Sequence, residues 1–419
     1  MRGAGRDGSA AIGLWAPHPI TPWSEHGRPA AFPWSFAVKL NPFDGLLCLS
    51  MKAVKRLDKR DSSEGSFSPD GVKTILIISS TALGDTLMST PAIKAVRVRY
   101  PEAHITALLN IRYAALFHSN PHIDTILPYY GGYRKFIRTA LALRRIRPGL
   151  ALIFHGNEPQ ATPLAYISGA RHIFKIPISR QYGFLLSNQS NGFDDPWQCH
   201  AIDVRLKTAS FAGCATDDRE MVLDADAEDI RHIKAALAAL GLNGAKPIIG
   251  LQPGAAQPYK AWPKGDFIEL GRRLLNLYPG AGIVITGSHE EHRLCDDIAA
   301  AIDSKGAVSL AGALSLKQLA ALVKVLSVLV TNDTGTMHIA IALGTKTVSL
   351  FCPSNHWGTG AITGLHLHRI ISAERPCSPC VTKKCKAPYC MSAITVDEVM
   401  AAVTDSLTEI SEINENSHL

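Results

Sequence analysis

This chain has no apolar run of the ~18 residues that a membrane-crossing helix requires. Its hydrophobic stretches are short, and one of them, "LAALVKVLSVLV", is interrupted by Lys324. A secretory signal is not expected either, because prolines at 17, 19 and 22 break any continuous apolar core near the N-terminus. An excess of one charge is lacking too: 43 Lys and Arg stand against 36 Asp and Glu, a formal net charge of +7. With no strong basic run and no basic-aromatic alternation, that balance argues against a nucleic-acid partner and suits anionic small molecules or an anionic membrane surface.

The glycines of a dinucleotide site are missing as well. The segment "ILIISSTALGDTLMSTPAIKAVRVRYP" (75–101) reads as strand, turn and helix, yet it has only Gly84 where G-x-G-x-x-G would need three, and the next strand ends "LLN" without an acid for the ribose. A nicotinamide dehydrogenase is therefore disfavoured. Directly after Gly84 comes an acid, Asp85.

What is present is enough apolar material, 46% of 419 residues, for two cores of roughly 150 to 200 residues each. Residues 1–70 are rich in Gly, Pro, Trp and Ser, then in charge, and lack periodicity; they predict a mostly disordered extension upstream of an alternative start at Met51, with membrane docking of its tryptophans the minor reading. From Val72 onward strand-like runs ("VKTILIIS", "HITALLN", "DTILPYY", "LALIFHG") alternate with helical patterns around 86–99, 112–119, 133–147 and 160–168. After a helix near 226–240 the alternation restarts with "PIIGLQPG", "GIVITGS", "AVSLAG", "VLVTND" and "KTVSLF". The predicted class is α/β, with two Rossmann-like domains facing a cleft: an N-terminal one over 71–240, a C-terminal one over 241–395, and a terminal helix and tail over 396–419. Ligands of such sheets bind beyond the carboxyl ends of the strands, so chemistry is sought at strand-to-helix turns.

Four turns qualify. The first, Ser79 to Asp85 with Ser80 and Gly84, offers Asp85 either as a helix N-cap or as a catalytic carboxylate. The second, "QPGAAQPYKAWPKGDF", holds Lys260 where its ammonium can meet a phosphate, against the alternative of a solvated lysine. The third, "VTNDTGTMHIAIALG", starts a helix at Asp333-Thr334-Gly335, an anion site by its free amides, with Gly335 allowing close backbone approach; His338 reads equally as a buried structural histidine or a ligand contact. In the fourth, "TGSHEEHR", Glu290 can accept bonds from ribose hydroxyls, and Glu291 is its chemical equal.

These turns, in this order, resemble glycosyltransferase family 9, the ADP-heptose:lipopolysaccharide heptosyltransferases, over about Lys73 to Val403. The matching positions are Gly84-Asp85 with Thr90-Pro91-Ala92, Pro253-Gly254-Ala255 with Lys260 and Trp262-Pro263, and Asn332-Asp333-Thr334-Gly335 with His338 and Ala340. The resemblance implies a GT-B fold, a nucleotide-sugar donor (ADP-heptose) held by the second domain through Lys260, Glu290, Asp333, Thr334, Gly335 and His338, and a lipid-linked saccharide acceptor held by the first. It further implies that Asp85 is the general base of an inverting transfer, with Lys260 and the amides at Thr334 and Gly335 carrying the charge of the departing diphosphate. Downstream of the third turn this chain has "CPSNHWGTGAITG" where family members carry a Gly- and Pro-rich loop.

Three further features compete for attention. Asp224-Ala225-Asp226 is an Asp-x-Asp triplet of the kind that holds a metal under a diphosphate, but acids also favour the start of the helix that follows. Arg134, Lys135, Arg138, Arg144, Arg145 and Arg147 form a basic face that either approaches a lipid phosphate or is simply solvated. Nine cysteines without a secretion signal suggest a reducing compartment. Four of them, Cys377, Cys380, Cys385 and Cys390 (within 377–390), are spaced to permit a structural zinc or an iron-sulfur cluster, or else a braced loop. The combined expectation is a cytoplasmic heptosyltransferase, peripheral on the cytoplasmic face of the inner membrane, that needs no cofactor for transfer. Its rivals are a transferase of another nucleotide sugar to a surface glycan and a metal-carrying binding protein.

Overall fold

The computed structural model describes residues 42–58, 67–133, 135–155, 159–177, 180–188, 196–374, 377, 385 and 389–416. Two parallel sheets organise them. The first contains β1 (Thr74–Ser79), β2 (His104–Asn110), β3 (Thr125–Tyr129), β4 (Leu150–His155) and β5 (His172–Lys175), in the order β3-β2-β1-β4-β5. The second contains β6 (Ile248–Gln252), β7 (Gly282–Ile285), β8 (Ala307–Ser309), β9 (Val328–Asn332), β10 (Thr347–Phe351) and β11 (His368–Ser372), in the order β11-β10-β9-β6-β7-β8. Helices cover both faces of each sheet, which is why β1, β4, β9 and β10 are buried along nearly their whole length and not at alternate residues.

In each sheet the first strand in sequence lies inside. β1 pairs with β2 on one side and β4 on the other, and β6 pairs with β7 and β9. The chain order therefore reverses at β1 and at β6, and the crevice beyond their carboxyl ends is where a ligand fits. The turns carrying Asp85, Lys260 and Asp333 all leave strands at those ends. One hydrophobic cluster joins the halves, packing Leu87, Leu109 and Phe117 with Leu237, Leu322 and Ile339.

The structure departs from the sequence reading in several places. The helix expected over 86–99 is two helices, Leu83–Leu87 and Thr90–Arg99, separated at Met88-Ser89. Pro91 has no amide to continue the ladder, and the Ser89 hydroxyl bonds the Asp85 carbonyl at 2.7 Å instead. The helix expected over 112–119 is a single 3₁₀ turn, Ala114–Phe117. The edge strands β5 and β11 were not foreseen, being short and half polar. Part of the expected disordered extension is ordered: Pro42–Leu57 is a helix, with Met51 buried against the first sheet.

Candidate active site

The turn after β1 begins with Ser80, whose amide donates to the His155 carbonyl at 3.1 Å, and continues into the helix Leu83–Leu87. The N-cap of that helix is Ala82, and no side chain caps it, so Asp85 is not a cap. Its Oδ1 instead receives the guanidinium of Arg205, with Nη2 at 2.9 Å. Arg205 comes from the helix Ala201–Ser210, and its Nε donates to the Ser89 hydroxyl at 3.0 Å, which in turn lies 3.1 Å from the Ser79 hydroxyl. The result is a buried polar chain, Ser79, Ser89, Arg205, that fixes the carboxylate by one oxygen and leaves Oδ2 without a hydrogen bond from any described residue.

His155 Nε2 is 3.5 Å from the same Oδ1. A register shift between Ile78 and Ser79 sets His155 opposite Ser79 at the end of β4, as bulges do when they re-aim a side chain. Burial holds its pKa down at about 4, outweighing Asp85, so the ring is neutral at pH 7 and the charge beside Asp85 is that of Arg205.

Across the cleft, Lys260 ends a 3₁₀ turn, Pro258–Lys260, and its Nζ donates to Asp333 Oδ2 at 2.7 Å. Burial raises the Asp333 pKa, but the Lys260 charge and hydrogen bond prevail and the net shift is downward, favouring the carboxylate. Asn332, next in line, accepts the Trp262 amide at 3.1 Å and donates to the carbonyls of Pro253 and Gly254 at 2.9 and 3.2 Å. It thereby locks the second turn to the third. Thr334 is the N-cap of the helix Gly335–Ala342 without a side-chain cap bond, so the first amides there are not taken up by a capping side chain.

The two glycines serve contacts between the halves. A Cβ on Gly84 would lie 2.3 Å from Cδ2 of His338, and one on Gly335 would lie 3.1 Å from Leu83 Cδ2. What Gly335 approaches closely among the described residues is the facing helix, at Leu83. His338 is buried, and burial lowers its pKa against the pull of Asp333 and Asp85. A second bridge runs from His200, whose Nε2 lies 3.0 Å from the Gly360 carbonyl while Nδ1 accepts the Ile202 amide.

The fourth turn separates its two acids. Glu291 Oε2 accepts the Ser288 amide at 2.7 Å, and Oε1 sits where a Gly254 Cβ would be 2.0 Å away. Glu290 is exposed, and a hydrogen bond from its own backbone amide, then one from the Ser288 side chain, lower its pKa. Asp226 accepts the Glu228 amide at 2.7 Å and caps the helix Ala227–Leu237, which is the capping alternative for that triplet. Cys390 is buried in the core of the second half and Cys377 is exposed, while Cys380, like Arg134, lies outside the described residues. Among the described residues no three His, Cys, Asp or Glu converge as a metal site.

The model of glycosyltransferase family 9 (heptosyltransferase) matches residues 169–390, just over half of the chain. The chain belongs to glycosyltransferase family 9. The matched stretch contains Lys260, Glu290, Asp333, Thr334, Gly335 and His338, whereas Asp85 precedes it. Lipopolysaccharide heptosyltransferase 2 of Salmonella typhimurium is 27% identical over 295 residues, 67% of this chain and 83% of that one. Lipooligosaccharide heptosyltransferase 2 of Campylobacter jejuni is 24% identical over 354 residues, 82% and 99% of the two chains. The fold is that of the family 9 glycosyl transferase from Veillonella parvula (TM-score 0.70, 21% identity, 82% of this chain and 99% of that one). It is also that of E. coli ADP-heptose lps heptosyltransferase II (TM-score 0.66, 24% identity, 81% and 99%). This family 9 protein is a glycosyltransferase of GT-B type.

Sequence reading missed Arg205 and His155, and named Asn332 only as part of a matching motif, without its tie between the second and third turns. Arg205 did leave a signal: in "AIDVRLKTAS" it shares the buried stripe of Ile202, Leu206 and Ala209, where an arginine needs a partner. His155 left none, because only the strand irregularity turns it toward Asp85.

Proposed function

We propose that this enzyme transfers a heptose from ADP-heptose to a lipid-linked core saccharide, with inversion at the anomeric carbon. The observation that carries the reading is the meeting of the two halves at Gly84 and His338, which sets Asp85 across the cleft from the Lys260–Asp333 pair. The names of the Salmonella and Campylobacter relatives support the choice of sugar.

In the reaction, the acceptor hydroxyl attacks the anomeric carbon from the face opposite the diphosphate. Its proton passes to Oδ2 of Asp85, the C–O bond to the diphosphate breaks, and ADP leaves with the electron pair. Arg205 holds Asp85 by one oxygen and in one rotamer, leaving the second oxygen to work. Lys260 and the amides following Thr334 receive the charge that grows on the diphosphate, so the transfer needs no cofactor. Asp333 orients Lys260, and the acids of the 288–291 turn serve the ribose. We assign Cys390, buried in the core of the second half, a bracing role outside the reaction. The acceptor being lipid-linked, the enzyme meets it at the cytoplasmic face of the inner membrane.

The test is ADP release with a panel of nucleotide sugars and a lipid A acceptor bearing Kdo. ADP-heptose should be consumed in preference to the others. Turnover of a different nucleotide sugar with ADP-heptose inert would overturn the assignment of donor while leaving the family intact.

A further inference from the structure

The helix Pro42–Leu57 presents apolar side chains on two sides. One side, Leu47, Cys48 and Met51, packs into the cluster that covers the first sheet, together with Ala140 and Leu143 of the neighbouring helix Phe136–Ile146. The other side faces solvent: Leu46, Leu49 and Leu57 are 64%, 65% and 81% exposed, and Val54 shares that surface. On the neighbouring helix Ile137 and Leu141 are likewise exposed, at 72% and 59%. The two helices are joined at their starts, where Tyr133 stacks near Phe43 and Phe136 and donates its hydroxyl to Asp44. Both therefore belong to one outer layer of the first half.

The charges on this layer have one sign. Residues 125–155 contain six Lys and Arg and no Asp or Glu. Lys135, Arg138, Arg144 and Arg145 are exposed beside Ile137 and Leu141, and Lys52, Lys55 and Arg56 flank the leucines. The single acid of the first helix, Asp44, is buried against Tyr133, and Asp58 just past its end accepts the Tyr166 hydroxyl. Large aliphatic side chains pointing outward among unopposed cations are what an interfacial helix uses: the leucines enter the headgroup region and the cations meet lipid phosphates. No helix among the described residues is long and apolar enough to cross the membrane, so the contact is lateral.

We propose that this layer, Leu46, Leu49, Val54 and Leu57 with Ile137 and Leu141, is the surface by which the enzyme docks on an anionic lipid bilayer. The proposal rests on the acceptor being lipid-linked, and it adds the place of contact. The chain leaving β3 does so at the carboxyl end of the parallel sheet, the same end from which the Asp85 turn leaves β1, so a bilayer against these helices brings lipid-borne saccharide to the side of the cleft that carries Asp85.

The test is sedimentation of the full chain with phosphatidylglycerol vesicles that carry no saccharide. The parent should bind, and binding should weaken at high salt and on neutral phosphatidylcholine. Two variants, Leu46→Gln/Leu49→Gln/Leu57→Gln and Arg144→Gln/Arg145→Gln, should each lower vesicle affinity by about tenfold or more. Both should keep the parent's melting temperature, its shift with ADP, and transfer to a short water-soluble acceptor. A parent that stays in the supernatant overturns the proposal, and so do variants that bind like the parent. A parent dimer that the leucine variant converts to monomer would instead give the face to a second copy of the chain. Because the vesicles lack sugar, failure of ADP-heptose turnover would sink the donor assignment without touching this result.

Discussion

Arg205 Nη2 lies 2.9 Å from Asp85 Oδ1, and the arginine is almost completely enclosed. A buried guanidinium that also donates to Ser89 has few other places to go, so the carboxylate is held by one oxygen and offers the second. Asp85→Asn retains the size and the hydrogen bond to Arg205 but cannot take a proton. Turnover should fall by about 10² to 10⁴, with donor affinity near that of the parent. An Asn variant within a few-fold of the parent rate would remove Asp85 as the base.

Truncating the partner is a different experiment. Arg205→Leu leaves Asp85, Ser89 and Ser79 without their cation and should cost about 3 to 5 kcal/mol of stability, the range for breaking a buried pair. Chemical denaturation measures it; a loss under 1 kcal/mol would mean that Arg205 is not the anchor of that network.

Lys260 combines two roles that a double variant separates. Lys260→Ala should weaken ADP binding by about 2 to 3 kcal/mol, the scale of a lost charged contact, and should also destabilise the fold by stranding the Asp333 carboxylate. Adding Asp333→Asn should restore the melting temperature and leave ADP affinity low. Unchanged ADP affinity in the single variant would take Lys260 out of the donor site.

His155 and His200 are both held neutral by burial, with pKa values near 4 against 6.5 for a free histidine. A depressed folded value means that the unfolded chain takes the proton first. Stability is therefore complete above pH 6.5 and is lost as pH falls from 6.5 towards 4, by up to about 3 kcal/mol for each ring. His200→Asn keeps an acceptor for the Ile202 amide and removes the titration. Its unfolding midpoint should fall less between pH 7 and pH 5 than the parent's, and an identical slope would exclude His200 as a contributor.

Gly84→Ala should push the His338 ring and lower both stability, by about 1 to 3 kcal/mol, and turnover. His338→Ala in the same chain should recover part of the stability, since it empties the space that the new methyl group needs. Losses that simply add would show that the two residues do not meet.

The pattern of apolar runs along the chain carried the architecture and put the candidate turns at the ends of strands. Apolar strands separated by amphipathic helices admit little besides parallel sheets with covered faces, and Asp85, Lys260 and Asp333 each lie in the turn that follows such a strand, where local chemistry marks them as candidates and leaves each with two readings. The order in the helix Pro42–Leu57 and the edge strands β5 and β11 were not legible, because their stability comes from the layer they pack on and not from their own pattern. The environment of each site residue was decided only in three dimensions. Arg205 is 120 residues from Asp85, His338 is 254 from Gly84, and Lys260 is 73 from Asp333. A carboxylate with a free N-terminal turn nearby looks like a cap in sequence, and folding makes it something else by bringing a buried cation from a distant helix to one of its oxygens.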